Sequence, residues 1–207
     1  MKLIVFGATG GIGSHVVEQA LSAGHEVTAI ARHPSAVTLR HEHLEVIQGD
    51  VLDPDTIRDA IEGKDAVVSA VGARDLGPTT VYSEGVANIM KAMRAAHVRR
   101  ILCISASGLE PGPWWQRLFA RLFLWRILKN MYTDLVRMES EVRASGMDWT
   151  IVRPPALTNG PRTGHYQTVI NQHLAHGLRL SRADTADYIV NHLKDGATYR
   201  GVVELAY

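Results

Sequence analysis

The residues best placed by type and spacing to do chemistry lie near the start of the chain. Gly7-Ala8-Thr9-Gly10-Gly11-Ile12-Gly13 follows the apolar run Leu3-Ile4-Val5-Phe6 in a GxxGxxG pattern. Such a segment lets the chain turn sharply off a strand and lets the backbone approach a pyrophosphate with no Cβ in the way. It then opens a helix whose free N–H groups and positive dipole end face the anion. In this reading Gly7 serves the turn, Gly10 the close approach and Gly13 the packing of helix on strand. Thr9 and Ile12 add hydroxyl or backbone donors, and Gly11 starts the helix. Placed between a buried strand and an amphipathic helix, the motif predicts a dinucleotide site.

The next apolar run indicates which dinucleotide. An NAD-selecting site carries Asp or Glu about 20 residues past the glycines, where it accepts from the ribose hydroxyls. Here the run Val27-Thr28-Ala29-Ile30-Ala31 is left by Arg32, with His33 and Ser35 close by and no carboxylate. A guanidinium fork at that point pairs with a 2′-phosphate and stacks on adenine. The expected cofactor is NADP(H) rather than NAD(H).

Other reactive side chains give weaker patterns. His41 and His43 alternate about Glu42, and His173 and His176 stand three apart on an expected helix, but neither pair has a third ligand at an established spacing. No metal site is expected. Glu139 and Glu141, two apart, do not share a helix face, so paired-carboxylate catalysis is not expected. Cys103, the single cysteine, lies in an apolar run and reads as a small buried hydrophobe, which fits a reducing compartment.

These residues must be positioned by an alternation of strands and helices. Apolar runs rich in β-branched residues fall at 3–6, 27–31, 44–47, 66–70, 101–104 and 149–152. Runs without polar alternation suit strands buried on both faces of a parallel sheet. Helices are predicted over 11–23, 54–61 (with Asp53 as N-cap and Pro54 in the first turn), 81–96 and 133–144, the last stopped by Ser145-Gly146. Short strands at 177–180 and 202–205 with a helix over 184–193 complete the pattern. The expectation is an α/β protein, a Rossmann-like doubly wound parallel sheet forming a single domain over residues 1–207.

Composition narrows the function classes. Of 207 residues 46% are hydrophobic and 21% charged, with a net charge of +1. That excludes a disordered chain and gives no bulk field to recruit nucleic acid or an anionic membrane. The first apolar run is too short for a signal peptide, so a cytoplasmic protein is expected. Residues 114–131 are rich in aromatic and aliphatic side chains, Trp114, Trp115, Phe119, Phe123, Trp125 and Met131 among them, but are interrupted by Arg117, Arg121, Arg126 and Lys129. No stable membrane insertion is expected. The segment reads as a hydrophobic lid or wall over the substrate, with a possible homodimer contact.

Several motifs together resemble a known family. They are the GATGGIG loop, Gly49-Asp50-Val51, Ala70-Val71-Gly72, the strand from Arg99 to Ser107, Ser145 to Pro155 (SGMDWTIVRPP) and Ser181 to Ala186 (SRADTA). The chain resembles the atypical short-chain dehydrogenase/reductases, in particular the NAD(P)H-binding proteins similar to biliverdin reductase B (flavin reductase) and the NmrA-like group. The resemblance implies that Gly7, Thr9, Gly10, Ile12 and Gly13 hold the pyrophosphate and Arg32 the 2′-phosphate. It also implies that Asp50 and Val51 flank the adenine, that Ala70, Val71 and Gly72 contact the cofactor backbone, and that Ser105 sits near the nicotinamide opposite Pro154 and Pro155. Substrate-side elements would come from about 106–132 and 155–183.

The family's usual Tyr-x-x-x-Lys pair is missing, since no tyrosine has lysine four residues later. Tyr132, 25 residues after Ser107, is the candidate acid, and Ser105 the candidate donor to the carboxamide or substrate. Reducing a flavin or quinone does not require a dedicated tyrosine, because the conjugated system delocalises charge and solvent can supply the proton. The expected function is hydride transfer from NADPH to a small conjugated acceptor. The alternative is a non-catalytic NADP(H)-binding redox sensor.

Overall fold

A computed structural model describes residues 1–109, 125–174 and 177–207. The chain runs β1 (Lys2–Phe6), α1 (Gly11–Ser22), β2 (Glu26–Ala31), β3 (Leu44–Gln48), β4 (Ala66–Ser69), α2 (Ser83–Ala95), β5 (Arg100–Ile104), α3 (Trp125–Ala144) and β6 (Asp148–Arg153). It continues through β7 (Ala156–Thr158), β8 (Gln167–Ile170), β9 (Arg179–Ser181), α4 (Arg182–Asn191) and β10 (Gly201–Ala206). The main sheet has the order β3-β2-β1-β4-β5-β6-β10-β8. All its pairs are parallel except β10 with β8, and β7 pairs with β9 separately. The order 3-2-1-4-5-6 is that of the doubly wound Rossmann sheet, and it reverses between β1 and β4.

The apolar runs are explained by burial on both faces. In β1, Leu3 and Val5 pack with Val16, Val17 and Leu21 of α1 and Ile189 of α4. Their neighbours Ile4 and Phe6 pack on the opposite side with Val86, Ile89 and Met93 of α2 and Leu135 and Met138 of α3. Successive side chains point to opposite faces, and both faces are covered, so polar alternation is absent.

Four local expectations need correction. The helix expected over 54–61 is two 3₁₀ turns, Pro54–Thr56 and Asp59–Ile61. Ile57 and Ile61 are still fully buried, so the four-residue apolar spacing was real. Eight residues are too few to make an α-helix stable by itself, and anchoring at two points suffices. The Asp53 side chain makes no cap; its carbonyl instead accepts from Thr56 Oγ1 at 2.7 Å. Helix α3 is already formed at Trp125, eight residues before the expected start. His173 lies outside any helix, just beyond β8, a strand the sequence reading missed along with β7.

Two long-range contacts fix the helices. Asp134 of α3 is fully buried and caps α2, accepting from Tyr82 N at 2.9 Å and from the Ser83 hydroxyl. Buried Arg100, at the start of β5, donates to the carbonyls of His192 and Leu193 beyond α4. No helix among the described residues is long and apolar enough to cross a membrane.

Candidate active site

The carboxyl ends of β1, β2, β4, β5, β6 and β10 open into one cavity of about 1670 Å³. A sheet whose strand order reverses leaves such a crevice at the reversal. Gly7 forms its floor with φ of +77°, and a Cβ there would meet the Ala70 carbonyl oxygen at 2.3 Å. Only glycine meets both demands. A Cβ on Gly13 would lie 2.1 Å from the Gly7 carbonyl oxygen, so its absence lets α1 seat against the loop.

The N-cap of α1 is Gly10, with no side-chain cap and no acidic residue in the first turn. The helix start is therefore open to an anion on the cavity side. Gly7, Thr9, Gly10, Gly11, Ile12, Arg32, Asp50, Val51, Ala70, Val71, Gly72, Ser105, Tyr132, Pro154 and Pro155 all line the cavity. Gly13 does not line it, and what the structure shows at Gly13 is the close packing of α1 on the Gly7 carbonyl. Arg32 is exposed at the cavity edge and has no ion-pair partner among the described residues. A glycine cradle, an uncapped helix start and an available guanidinium together fit a dinucleotide.

At the other end of the cavity, three adjacent strands place Ser105, Arg153 and Glu204 in one row. Ile104 pairs with Val152, and Arg153 pairs with Glu204 in the next register. Ser105 follows β5 directly, and its N–H donates to the Val152 carbonyl at 2.8 Å. Helix α3 lowers Glu139 onto this row. Ser105 Oγ donates to Glu139 Oε1 at 2.7 Å. Arg153 donates from Nε to Oε1 at 2.8 Å and from Nη2 to Oε2 at 2.6 Å. On the far side, His173 Nδ1 lies 3.0 Å from Glu204 Oε2, and Leu174 N donates to the same oxygen at 2.9 Å.

Burial alone would push the Glu139 carboxyl up. The Arg153 hydrogen bonds and charge, the Ser105 hydroxyl and nearby Arg143 outweigh it and hold Glu139 below the usual carboxylate range. Glu139 is thus an anion, and the Ser105 proton is committed to it. This corrects the expectation that Ser105 donates: toward the cavity its oxygen can accept, for instance from a carboxamide N–H. Tyr132 is buried, with its hydroxyl 3.5 Å from the Ser107 carbonyl oxygen. Burial raises its pKa above the ordinary tyrosine value, the opposite of what an acid near neutral pH needs.

Glu139, Glu204, His173 and Arg182 were missed as site residues. A signal for Glu139 existed: it shares the stripe Tyr132, Leu135, Glu139, Val142, a carboxylate on an otherwise apolar face. Nothing local marked Glu204, and His173 had drawn notice only as one of a spaced histidine pair. Of the aromatic segment, 114–124 lies outside the described residues, while Leu128 and Met131 join Leu109 and Leu135 as an apolar wall. His176 also lies outside the described residues. Among the described residues, no three His, Cys, Asp or Glu side chains gather as for a metal.

The fold and cavity define a Rossmann-type dinucleotide-binding protein. The chain belongs to the NAD(P)H-binding family, whose model matches residues 7–196, and the resemblance to atypical short-chain dehydrogenase/reductases holds. It is similar to an uncharacterised chloroplastic protein of Arabidopsis thaliana, with 28% identity over 213 residues, 99% of this chain and 76% of that one. Two solved structures share the fold. One is a short-chain dehydrogenase/reductase from Veillonella parvula in complex with NADP, with TM-score 0.81 and 18% identity, covering 100% of this chain and 94% of that one. The other is ChuY, an anaerobillin reductase from Escherichia coli O157:H7, with TM-score 0.79 and 24% identity, covering 100% and 97%.

Proposed function

We propose that the protein is an NADPH-dependent reductase that passes hydride to a small conjugated acceptor such as a flavin or quinone. The observation that carries this reading is the cavity itself. The glycine loop, Arg32 and an apolar wall of Leu109, Leu128, Met131 and Leu135 share one space of about 1670 Å³. Single-ligand sites usually occupy about 300–1,000 Å³, so the cavity can accommodate a cofactor and a flat acceptor together.

Bound along the glycine loop, the reduced dinucleotide supplies the hydride. The chain's residues supply position and polarity. The Arg32 guanidinium pairs with the 2′-phosphate and so prefers NADPH. The Ser105 oxygen, oriented by Glu139, accepts a hydrogen bond from the nicotinamide side, while Pro154 and Pro155 border the same space. The apolar wall excludes water and orients the acceptor. His173, about a third exposed, lines the same cavity with its Nδ1 held against Glu204, and solvent supplies the proton that the reduced acceptor takes up. The reductase neighbour ChuY and the NADP-bound neighbour support the same reading by likeness of fold.

The test is to follow NADPH oxidation with riboflavin, FMN and quinones. Turnover with at least one acceptor is expected. Tight NADPH binding with no turnover on any acceptor would sink the reductase reading and favour a redox sensor.

A further inference from the structure

Arg182, the first residue of α4, lies across the start of α1. A Cβ on Gly11 would stand 2.5 Å from Arg182 Cδ and 2.7 Å from its Nε. The side chain therefore lies against the helix start that the glycine loop leaves uncapped, and it lines the same cavity as Gly10 and Gly11. Its Nη1 donates to Asn159 Oδ1 at 2.6 Å. Asn159 is neutral, and no carboxylate pairs with Arg182 among the described residues. The nearby acids are engaged elsewhere: Asp184 with Thr163, Gly164 and Tyr207, and Asp187 with Arg162 and Tyr166. A cation is thus oriented by an amide at the mouth of an anion-binding turn, with its charge uncompensated.

We propose that Arg182 is the clamp on the cofactor pyrophosphate, closing over it from α4 while the α1 amides hold it from below. The inference rests on reading the cavity as a dinucleotide site, but not on the choice of acceptor. Two arginines then divide the ligand. Arg32 reads the 2′-phosphate at the adenine end, and Arg182 reads the pyrophosphate, which NADP and NAD share. The absence of a Cβ on Gly11 gains a second reason, since a side chain there would displace the clamp.

Calorimetric titration of the apo protein separates these roles. The ligands are NADP⁺, NAD⁺ and adenosine 2′-monophosphate, which has the 2′-phosphate but no pyrophosphate. Arg182→Ala is expected to weaken both NADP⁺ and NAD⁺ by on the order of 10- to 100-fold, as for losing a charge-assisted contact. Its affinity for adenosine 2′-monophosphate should be unchanged. Arg182→Lys, which keeps the charge and the aliphatic stem, should fall between and guards against a folding defect in the alanine variant. Unchanged NADP⁺ affinity in Arg182→Ala overturns the clamp, as does an equal loss for adenosine 2′-monophosphate. If the unmodified protein binds neither dinucleotide, the cofactor reading fails and the clamp fails with it.

Discussion

Arg153 and Glu139 form a two-point ion pair beneath the cavity, with bonds of 2.8 and 2.6 Å and both side chains almost fully buried. It ties the end of β6 to the middle of α3. The Glu139 pKa is depressed, so the pair's contribution to stability is complete above the ordinary glutamate value of 4.5 and is lost as pH falls through the lower folded value. Glu139→Gln should cost about 2–3 kcal/mol near neutral pH, because Arg153 loses the nearer of two buried anions and keeps Glu204, 4.0 Å away. Urea unfolding from about pH 6 to about pH 3 should show the gap between the two proteins closing in acid as Glu139 itself becomes neutral. A gap of constant size across that range would contradict this account.

Arg32 is expected to decide cofactor choice. Arg32→Asp should weaken NADPH by about 2–3 kcal/mol, the cost of losing a charge-assisted phosphate contact, and should leave NADH nearly unaffected. Calorimetry on both cofactors checks this, and unchanged NADPH affinity would remove Arg32 from the site.

Gly13 is a packing position, set directly against the Gly7 carbonyl. Gly13→Ala sets a methyl 2.1 Å from the Gly7 carbonyl, a backbone atom that cannot rotate away. The expected loss is about 2–3 kcal/mol of folding stability, read by denaturant unfolding, together with weaker NADPH binding because the loop shifts. Native stability in this variant would show that α1 does not seat on the loop as described.

Cys103 is fully buried in β5, and burial pushes its thiol up to about 12. A thiol held neutral and out of reach is a poor nucleophile. Iodoacetamide at neutral pH should leave the folded protein unlabelled by mass and modify it once after denaturation. Rapid labelling of the native protein would show that β5 opens.

The amino-acid sequence determined the parts that depend on neighbours along the chain. The run from Leu3 to Phe6, the spacing of Gly7, Gly10 and Gly13, and the arginine after β2 each express local backbone geometry or local burial, so their pattern survives in one dimension. The same holds for the apolar stripe of α2. The 3₁₀ turns after Asp53 lay beyond that logic, because Ile57 and Ile61 could be buried without a regular helix.

Only tertiary structure decided the polar floor of the cavity. Ser105, Glu139, Arg153, Glu204 and His173 come from five separate segments and meet because β5, β6 and β10 align in register while α3 crosses above them. No spacing rule encodes such a meeting. Packing buries Glu139 and Glu204, and burial is tolerable because Arg153 lies between them and Ser105, His173 and the Leu174 amide take up their remaining oxygens. Arg182 is the same case at the other end: its position over Gly11 follows from the packing of α4 on α1, two helices separated by most of the chain.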